Sequence, residues 1–351
     1  DGVNEPNMVA DINASGDSDP RYLIVFKNKL YFWAEDGSSG IEPWVYDGTN
    51  PPSQLADINS GAGSSDPEFE VIFNEKLYFS ASDGSSGNEL WVYDGTASPS
   101  QVADLFPGVA GSYPDHSVVF NNKLYFVAHN GSSGYEIFVY DGIDPPSLLS
   151  DIRAGTEDSY PADLTVFNDK LYFSANGGTY GWELWVYDGT TSPSQVADIR
   201  VGSGGSLPEH LTVYKNKLYF RAYDGVTGSE TWVYDGTNPP SQLADINPGA
   251  GDGRPGNFTV FNDTLYFRAK DGTNGTELWS YDGVAPPAMA VDIRSGGIGS
   301  IPEFLTIFDF KFIFKSLSRI NLTGENFSSP SNLQSNMGLS ELHVFDEIRI
   351  P

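Results

Sequence analysis

Four recurring carboxylate pairs have the residue types and spacing for cation chemistry: Asp36 with Glu42, Asp83 with Glu89, Asp224 with Glu230, and Asp271 with Glu277. In each, the Asp opens an Asp-Gly loop and the Glu closes it. Ca²⁺ takes six to eight oxygen ligands, and carboxylates mixed with glycine-permitted backbone carbonyls supply them, so these residues are candidate calcium ligands. No EF-hand spacing is present. A plainer reading stands beside the metal: the Asp closes an Asx turn and the Glu bonds backbone donors at a sheet rim. Asn130, Gly177 and Ser318 stand where three other copies of the loop would need the Asp, which argues against seven equivalent sites.

The second set of candidates is aromatic. Tyr113, His116, Tyr135, Tyr160, Tyr180, Trp182 and His210 lie on loops where most of the chain repeats itself but these positions do not; Phe69, Phe106, Tyr223 and Arg254 share that property. An aromatic face beside Asp or Asn suits a sugar, whose C–H face stacks while its hydroxyls are bonded. Tyr180 with Trp182 is the most suggestive single pair, and loop packing is the alternative role. Catalysis has no comparable signature. His116, His129, His210 and His343 are not at metal-ligand spacing, and no Gly-x-Ser-x-Gly elbow, phosphate-cradling loop or His-Glu-x-x-His is present.

These loops are carried by a unit of about 47 residues repeated seven times. Glu-Leu-Trp-Val-Tyr-Asp-Gly is intact at Glu89 to Gly95 and at Glu183 to Gly189, with variants ending at Asp47, Asp141, Asp235, Asp282 and Asp346. An Asp-Ile or Asp-Leu pair starts at Asp11, Asp57, Asp104, Asp151, Asp198, Asp245 and Asp292, and Lys-Leu-Tyr-Phe or a relative starts at Lys29, Lys76, Lys123, Lys170, Lys217, Thr264 and Lys311. Each unit holds four short β signals and no helical period, which predicts an all-β, seven-bladed β-propeller with four antiparallel strands per blade, A to D. In the fifth unit Lys215-Asn216 makes the A-to-B hairpin, Thr231 to Tyr234 strand C and Gln242 to Ile246 strand D. The chain starts just after a strand C and ends on one, so Met8-Val9-Ala10 is expected to complete the last blade and close the ring.

Strands that alternate direction put the D-to-A and B-to-C loops on one side and the A-to-B hairpins and C-to-D turns on the other. Residues present in every unit, Asp11 through Asp292 and Asp47 through Asp346, read as turn and junction anchors, and the mid-strand Trp44, Trp91, Trp185, Trp232 and Trp279 as core. The seventh unit departs from the rest by an insertion at about 315–340, rich in Ser and Asn.

Lys plus Arg number 19 against 47 Asp plus Glu, a formal charge of −28, so a phosphate backbone or an anionic membrane repels this chain and cations attract it. Cysteine is absent, which excludes disulfides and thiolate chemistry. No apolar run reaches the roughly 18 residues of a membrane span. The first repeat begins at Asp1 with no initiator Met, which, with sequons at Asn13, Asn130, Asn257, Asn262, Asn274, Asn321 and Asn326, is the pattern of a processed, secreted chain.

The repeat resembles the ELWxxDGT repeats of large bacterial secreted or surface proteins, through Glu-Leu-Trp-Val-Tyr-Asp-Gly-Thr at Glu89 to Thr96 and Glu183 to Thr190, each followed by Ala-Asp-Leu or Ala-Asp-Ile at Ala103 and Ala197. The resemblance covers nearly all of residues 1–351, departs in its Pro-Pro-Ser and Ser-Pro-Ser turns, and implies one extracellular propeller domain with adhesion or recognition roles. The expected function is therefore secreted, multivalent, lectin-like carbohydrate binding through the D-to-A and B-to-C loops. A calcium-stabilised adhesion or matrix scaffold, with self-association as one form, is the alternative, and a polysaccharide-active enzyme the third reading.

Overall fold

Each repeat folds where its hairpin chemistry dictates. In a computed structural model, which describes residues 7–294, 296–297, 299–308, 311–316 and 341–345, the chain is all β, with no helix among those residues. The first sheet is β1 (Arg21–Phe26), β2 (Lys29–Glu35), β3 (Ile41–Tyr46) and β4 (Ser53–Gln54); the second is β5 (Glu68–Phe73), β6 (Lys76–Ser82), β7 (Asn88–Tyr93) and β8 (Ser100–Gln101). The third is β9 (Asp115–Phe120), β10 (Lys123–His129), β11 (Tyr135–Tyr140) and β12 (Ser147–Ser150); the fourth is β13 (Ala162–Phe167), β14 (Lys170–Asn176), β15 (Trp182–Tyr187) and β16 (Ser194–Gln195). The fifth is β17 (Glu209–Tyr214), β18 (Lys217–Tyr223), β19 (Ser229–Tyr234) and β20 (Ser241–Ala244), and the sixth is β21 (Gly256–Phe261), β22 (Thr264–Lys270), β23 (Thr276–Tyr281) and β24 (Ala288–Val291). A three-stranded sheet of β25 (Glu303–Phe308), β26 (Lys311–Ser316) and β27 (Glu341–Phe345) follows. Strands neighbour one another in chain order in every sheet. The chain divides into two compact units, Asp1–Leu164 and Thr165–Pro351.

The A-to-B turns of the six four-stranded sheets are two residues long with both at positive φ, as at Asn121 (47°) with Asn122 (56°) and Lys215 (44°) with Asn216 (55°), the twist that matches antiparallel strands. Strand B is buried on both faces: Leu77, Tyr78, Phe79 and Ala81 of β6 are buried in succession, as expected where each sheet is covered on two sides. Within the first unit, sheets join through Tyr31 against Tyr93 and Tyr78 against Tyr140, with ring centroids 5.7 and 6.0 Å apart. The second unit repeats the joint with Tyr172 against Tyr234 and Tyr219 against Tyr281. Burial and the paired hydroxyl raise the Tyr31, Tyr78, Tyr172 and Tyr219 phenols well above their usual range. Trp44, Trp232 and Trp279 are buried and Trp91 packs on the core, in keeping with their reading as packing residues.

The expected segregation of loops is present. Lys27 Nζ, in the β1–β2 hairpin, donates to the Asp94 carbonyl in the β7–β8 turn at 2.6 Å, so those two connections share a side. On the other side the B-to-C loop meets the following D-to-A loop: Gly134, at φ 67°, lies so close that a Cβ would come 2.7 Å from the Glu157 carbonyl oxygen. Only glycine fits there.

Two expectations are corrected. Strand D in the fifth sheet is Ser241–Ala244, not Gln242 to Ile246, because Ile246 turns instead to a carboxylate described below. Met8-Val9-Ala10 forms no strand, and Met8 and Val9 are exposed. Strand D is the weakest strand throughout, two residues in β4, β8 and β16, so little backbone pairing is on offer at such a junction. Asp346 and the insertion from residue 317 to 340 lie outside the described residues.

Candidate functional site

The carboxylates first considered for calcium separate into two structural roles. Asp36 Oδ1 accepts from the backbone N–H groups of Ser38 and Ser39 at 2.7 and 2.8 Å, and Asp83, Asp224 and Asp271 repeat the turn on Ser85 and Ser86, on Val226 and Thr227, and on Thr273 and Asn274. Those hydrogen bonds hold the Asp36 and Asp83 carboxyls down at about 2. The glutamates are not loop residues: Glu42, Glu89, Glu230 and Glu277 are second in β3, β7, β19 and β23, and none is exposed to solvent.

Each glutamate latches its sheet to the loop of the next. Glu89 accepts from the N–H of Leu105 (3.1 Å), Phe106 (3.4 Å) and Ser112 (2.8 Å) and from Ser112 Oγ (2.5 Å). Ser65 does the same for Glu42, Ser159 for Glu136, Ser206 for Glu183 and Ser300 for Glu277, while the Gly253 N–H serves Glu230. The paired Asp and Glu thus face different partners, and among the described residues no group of three or more His, Asp or Glu side chains converges as a metal site. The Asp of the Asp-Ile pair is also turn chemistry: Asp57, Asp151, Asp198 and Asp245 each accept the N–H four residues on.

Burial is the largest influence on these latches, raising all six carboxyls from the ordinary 4.5 and bringing Glu136 and Glu230 to about 7. Between those values the native state keeps a proton that the unfolded chain has lost, so stability is full below pH 4.5 and falls as pH rises through 7. Each such group contributes at most about 3 kcal/mol over that window. The Asp turns act oppositely, losing their contribution as pH falls from 3.8 towards 2. The urea midpoint is therefore expected to peak at about pH 4–5 and decline towards pH 8. Glu136→Gln should make the decline shallower, and a midpoint that rises from pH 5 to 8 contradicts this assignment.

Ahead of strand A the chain reads x-Pro, and x has positive φ in all seven repeats: Asp19, Asp66, Tyr113, Tyr160, Leu207, Arg254 and Ile301, at 41° to 51°. Three residues on, a bulge between strands A and B puts a second side chain at positive φ, including His116 (55°), Asp163 (56°) and His210 (60°). The backbone is thus constant while the side chains it displays differ from repeat to repeat.

In the first unit these displays converge. Tyr113, His116, Tyr135 and Tyr160 line one cavity of about 360 Å³, together with Glu68, Ser80, Asn88, Asp115 and Val127, and with Pro114, Pro161 and Ala162 at the loops. Backbone bonds seat the walls: the Asn88 carbonyl accepts the Ser112 and Tyr113 N–H groups at 2.8 and 3.0 Å, and the Tyr135 carbonyl accepts those of Ser159 and Tyr160 at 3.3 and 3.2 Å. The rings of Tyr135 and Tyr160 stack at 5.4 Å with planes 19° apart, and His129 backs Tyr135 at 5.2 Å. Asp158 accepts the Tyr135 N–H at 2.8 Å. Its bond to the Tyr160 hydroxyl raises that phenol, while burial, then the neighbouring Tyr113 and Tyr160, raises Tyr135. Tyr22 donates to Glu68 Oε1 at 3.1 Å, and His116 Nε2 lies 3.8 Å from Asp115 Oδ2.

Tyr180, Trp182 and His210 are not part of this cavity. Trp182 opens β15 at the position Tyr135 holds in β11, but the residue seated on its carbonyl is Leu207 where Tyr135 has Tyr160, so no ring faces it from that loop. His210 lies over Gly256, where a Cβ would come 3.0 Å from Nε2. Sequence reading missed Glu68, Ser80, Asn88, Asp115 and Val127, which repeat conventional strand positions and become walls only through the packing of neighbouring sheets. The signal that was available is Ser-Tyr-Pro in two consecutive repeats, at Ser112 and Ser159.

No family model matches the chain, and no curated protein matches it. Solved structures do. The computationally designed Ika8 protein is 20% identical, with a TM-score of 0.50 over 87% of this chain and 83% of that one. A puromycin-hydrolyzing peptidase of Mycobacterium tuberculosis is 11% identical, with a TM-score of 0.54 over 90% of this chain and 52% of that one. A structure from a study of two prolyl endopeptidases is 11% identical, with a TM-score of 0.53 over 94% and 50%. The chain spans about half the length of these two peptidases. At such identities the likeness is one of fold, and it agrees with the repeated four-stranded antiparallel sheets in identifying a propeller-like architecture.

Proposed function

We propose that this chain is a secreted, non-enzymatic, lectin-like binding protein of the ELWxxDGT-repeat type, its seven repeats forming seven blades, and that it takes cell-surface or matrix glycans. The observation that carries this reading is the convergence of Tyr113, Tyr135 and Tyr160 with His116 around a sugar-sized cavity. Stacked phenol rings offer a sugar's C–H face a flat apolar platform, and the imidazole, hydroxyls, Asn88 and carboxylates offer partners to its hydroxyls. A calcium site at the loop carboxylates forms no part of the proposal.

A tyrosine at φ 48° occupies a conformation that glycine or asparagine adopts more cheaply, so Tyr113 is retained against a local cost. Tyr113→Gly is expected to stay within about 1 kcal/mol of the parent stability while losing the ring. On a glycan array the parent should bind saturably and Tyr113→Gly should not. A flat array for the folded parent overturns the glycan reading.

A further inference from the structure

The cavity has two acids and no Lys or Arg in its lining: Tyr22 donates to Glu68, and His116 stands 3.8 Å from Asp115. Glu68 begins β5 and pairs across to Ser80, and Asp115 begins β9 and pairs to Val127. At the same register in the second unit, Glu209 pairs with Arg221, whose guanidinium bonds it, and Gly256 pairs with Arg268, which reaches Glu303 at 3.4 Å. The first unit thus replaces two arginines with a hydroxymethyl and an isopropyl group. The exchange opens space and leaves two carboxylates with no Lys or Arg among the cavity's lining residues.

The remaining walls suit a cation too. Three tyrosine rings present electron-rich faces, which attract an ammonium within about 6 Å of the ring centre. Asn88 adds an amide side chain to the lining. A neutral sugar would satisfy the rings and some hydroxyl partners. A protonated amine on that sugar would in addition pair with the Glu68 and Asp115 carboxylates by charge-assisted hydrogen bonds.

We propose that the ligand of this cavity is an amine-bearing oligosaccharide, of the class of glucosamine oligomers, held by its ammonium groups between the tyrosine rings and the Glu68 and Asp115 carboxylates. The inference rests on the glycan reading above and adds the charge. The test is calorimetric titration of the full chain with fully deacetylated glucosamine tetramer, its N-acetylated counterpart and choline, in mildly acidic buffer at low salt and again at about 0.5 M salt. The deacetylated tetramer is expected to bind at least about tenfold more tightly than the acetylated one, with the advantage shrinking in high salt. Glu68→Gln with Asp115→Asn should remove the advantage. Asp144→Asn, which deletes a charge in the β11–β12 turn, should change it less than about twofold, which separates a local effect from attraction to the chain's overall charge. Equal binding of the two tetramers overturns the inference and leaves the glycan reading standing. Binding of choline with neither tetramer removes the sugar and the inference with it, and binding of none of the three overturns both.

Discussion

Replacing Glu89 with alanine lowers the stability of this chain by about 3–5 kcal/mol, the cost typical of breaking a buried charged network. The carboxylate is inaccessible to solvent and is the acceptor for Leu105, Phe106 and twice for Ser112. Alanine leaves those donors buried with no oxygen to meet and opens a void where the side chain lay. Glu89→Gln keeps one carbonyl acceptor and the volume, so it should lose less than half as much. Asp94→Ala, in an exposed turn where the carboxylate caps Thr96 and Ala97, should change stability far less. Urea midpoints of the three variants measure the order. Because Ser112 is followed directly by Tyr113, Glu89→Ala should also weaken ligand binding, as Glu136→Ala should through Ser159 and Tyr160.

Tyr160→Ala is expected to weaken glycan binding by about 100-fold, or ~2.7 kcal/mol, the effect of truncating an aromatic anchor in a well-formed site. The ring is half-exposed, so its loss costs the fold little, yet it forms half of the stacked pair with Tyr135. Tyr135→Phe keeps the stack and removes a hydroxyl whose neighbours are Tyr113, Tyr160 and Asp158, so a smaller, roughly tenfold loss is expected. Trp182→Ala is the informative contrast. It removes the larger aromatic at the matching position of β15, outside the cavity, and should leave affinity within about twofold. A loss at Trp182 equal to that at Tyr160 would move the site.

The hairpins, the four strands of six of the repeats, the tryptophan core and the sides on which the loops emerge were legible because each rests on local chemistry repeated many times. Lys215-Asn216 dictates its own turn without help from the rest of the chain. The glutamate of Glu-Leu-Trp was legible as an acceptor of backbone donors, the plainer of its two readings, but its partners were not. Spacing alone puts Glu89 beside Asp83 in one acidic loop, and only the register of β7 against β6, which pairs Glu89 with Ala81, turns it inward to a serine 23 residues away. The cavity was legible in part. Tyr113, His116, Tyr135 and Tyr160 stood out as positions that vary between repeats, but so did Tyr180, Trp182 and His210, and nothing local distinguishes the two groups. Their separation depends on what faces them from the next repeat: Tyr160 above Tyr135, Leu207 above Trp182. The acids that complete the site were hidden for a related reason, since Glu68 and Glu209 occupy the same place in their repeats and differ only in the residue across the strand, Ser80 or Arg221.

The most direct test of the central claim, that a constant backbone displays a binding site at Tyr113, Tyr135 and Tyr160, is an NMR titration. Chain labelled with ¹³C in its tyrosine rings would be titrated with the tightest-binding glycan from the array, with ring resonances assigned by single Tyr→Phe substitutions. The predicted result is saturable shifts confined to Tyr113, Tyr135 and Tyr160, with Tyr180 and the core rings Tyr31, Tyr78, Tyr172 and Tyr219 unmoved. Saturable binding that shifts Tyr180 and leaves the three cavity tyrosines in place would contradict it.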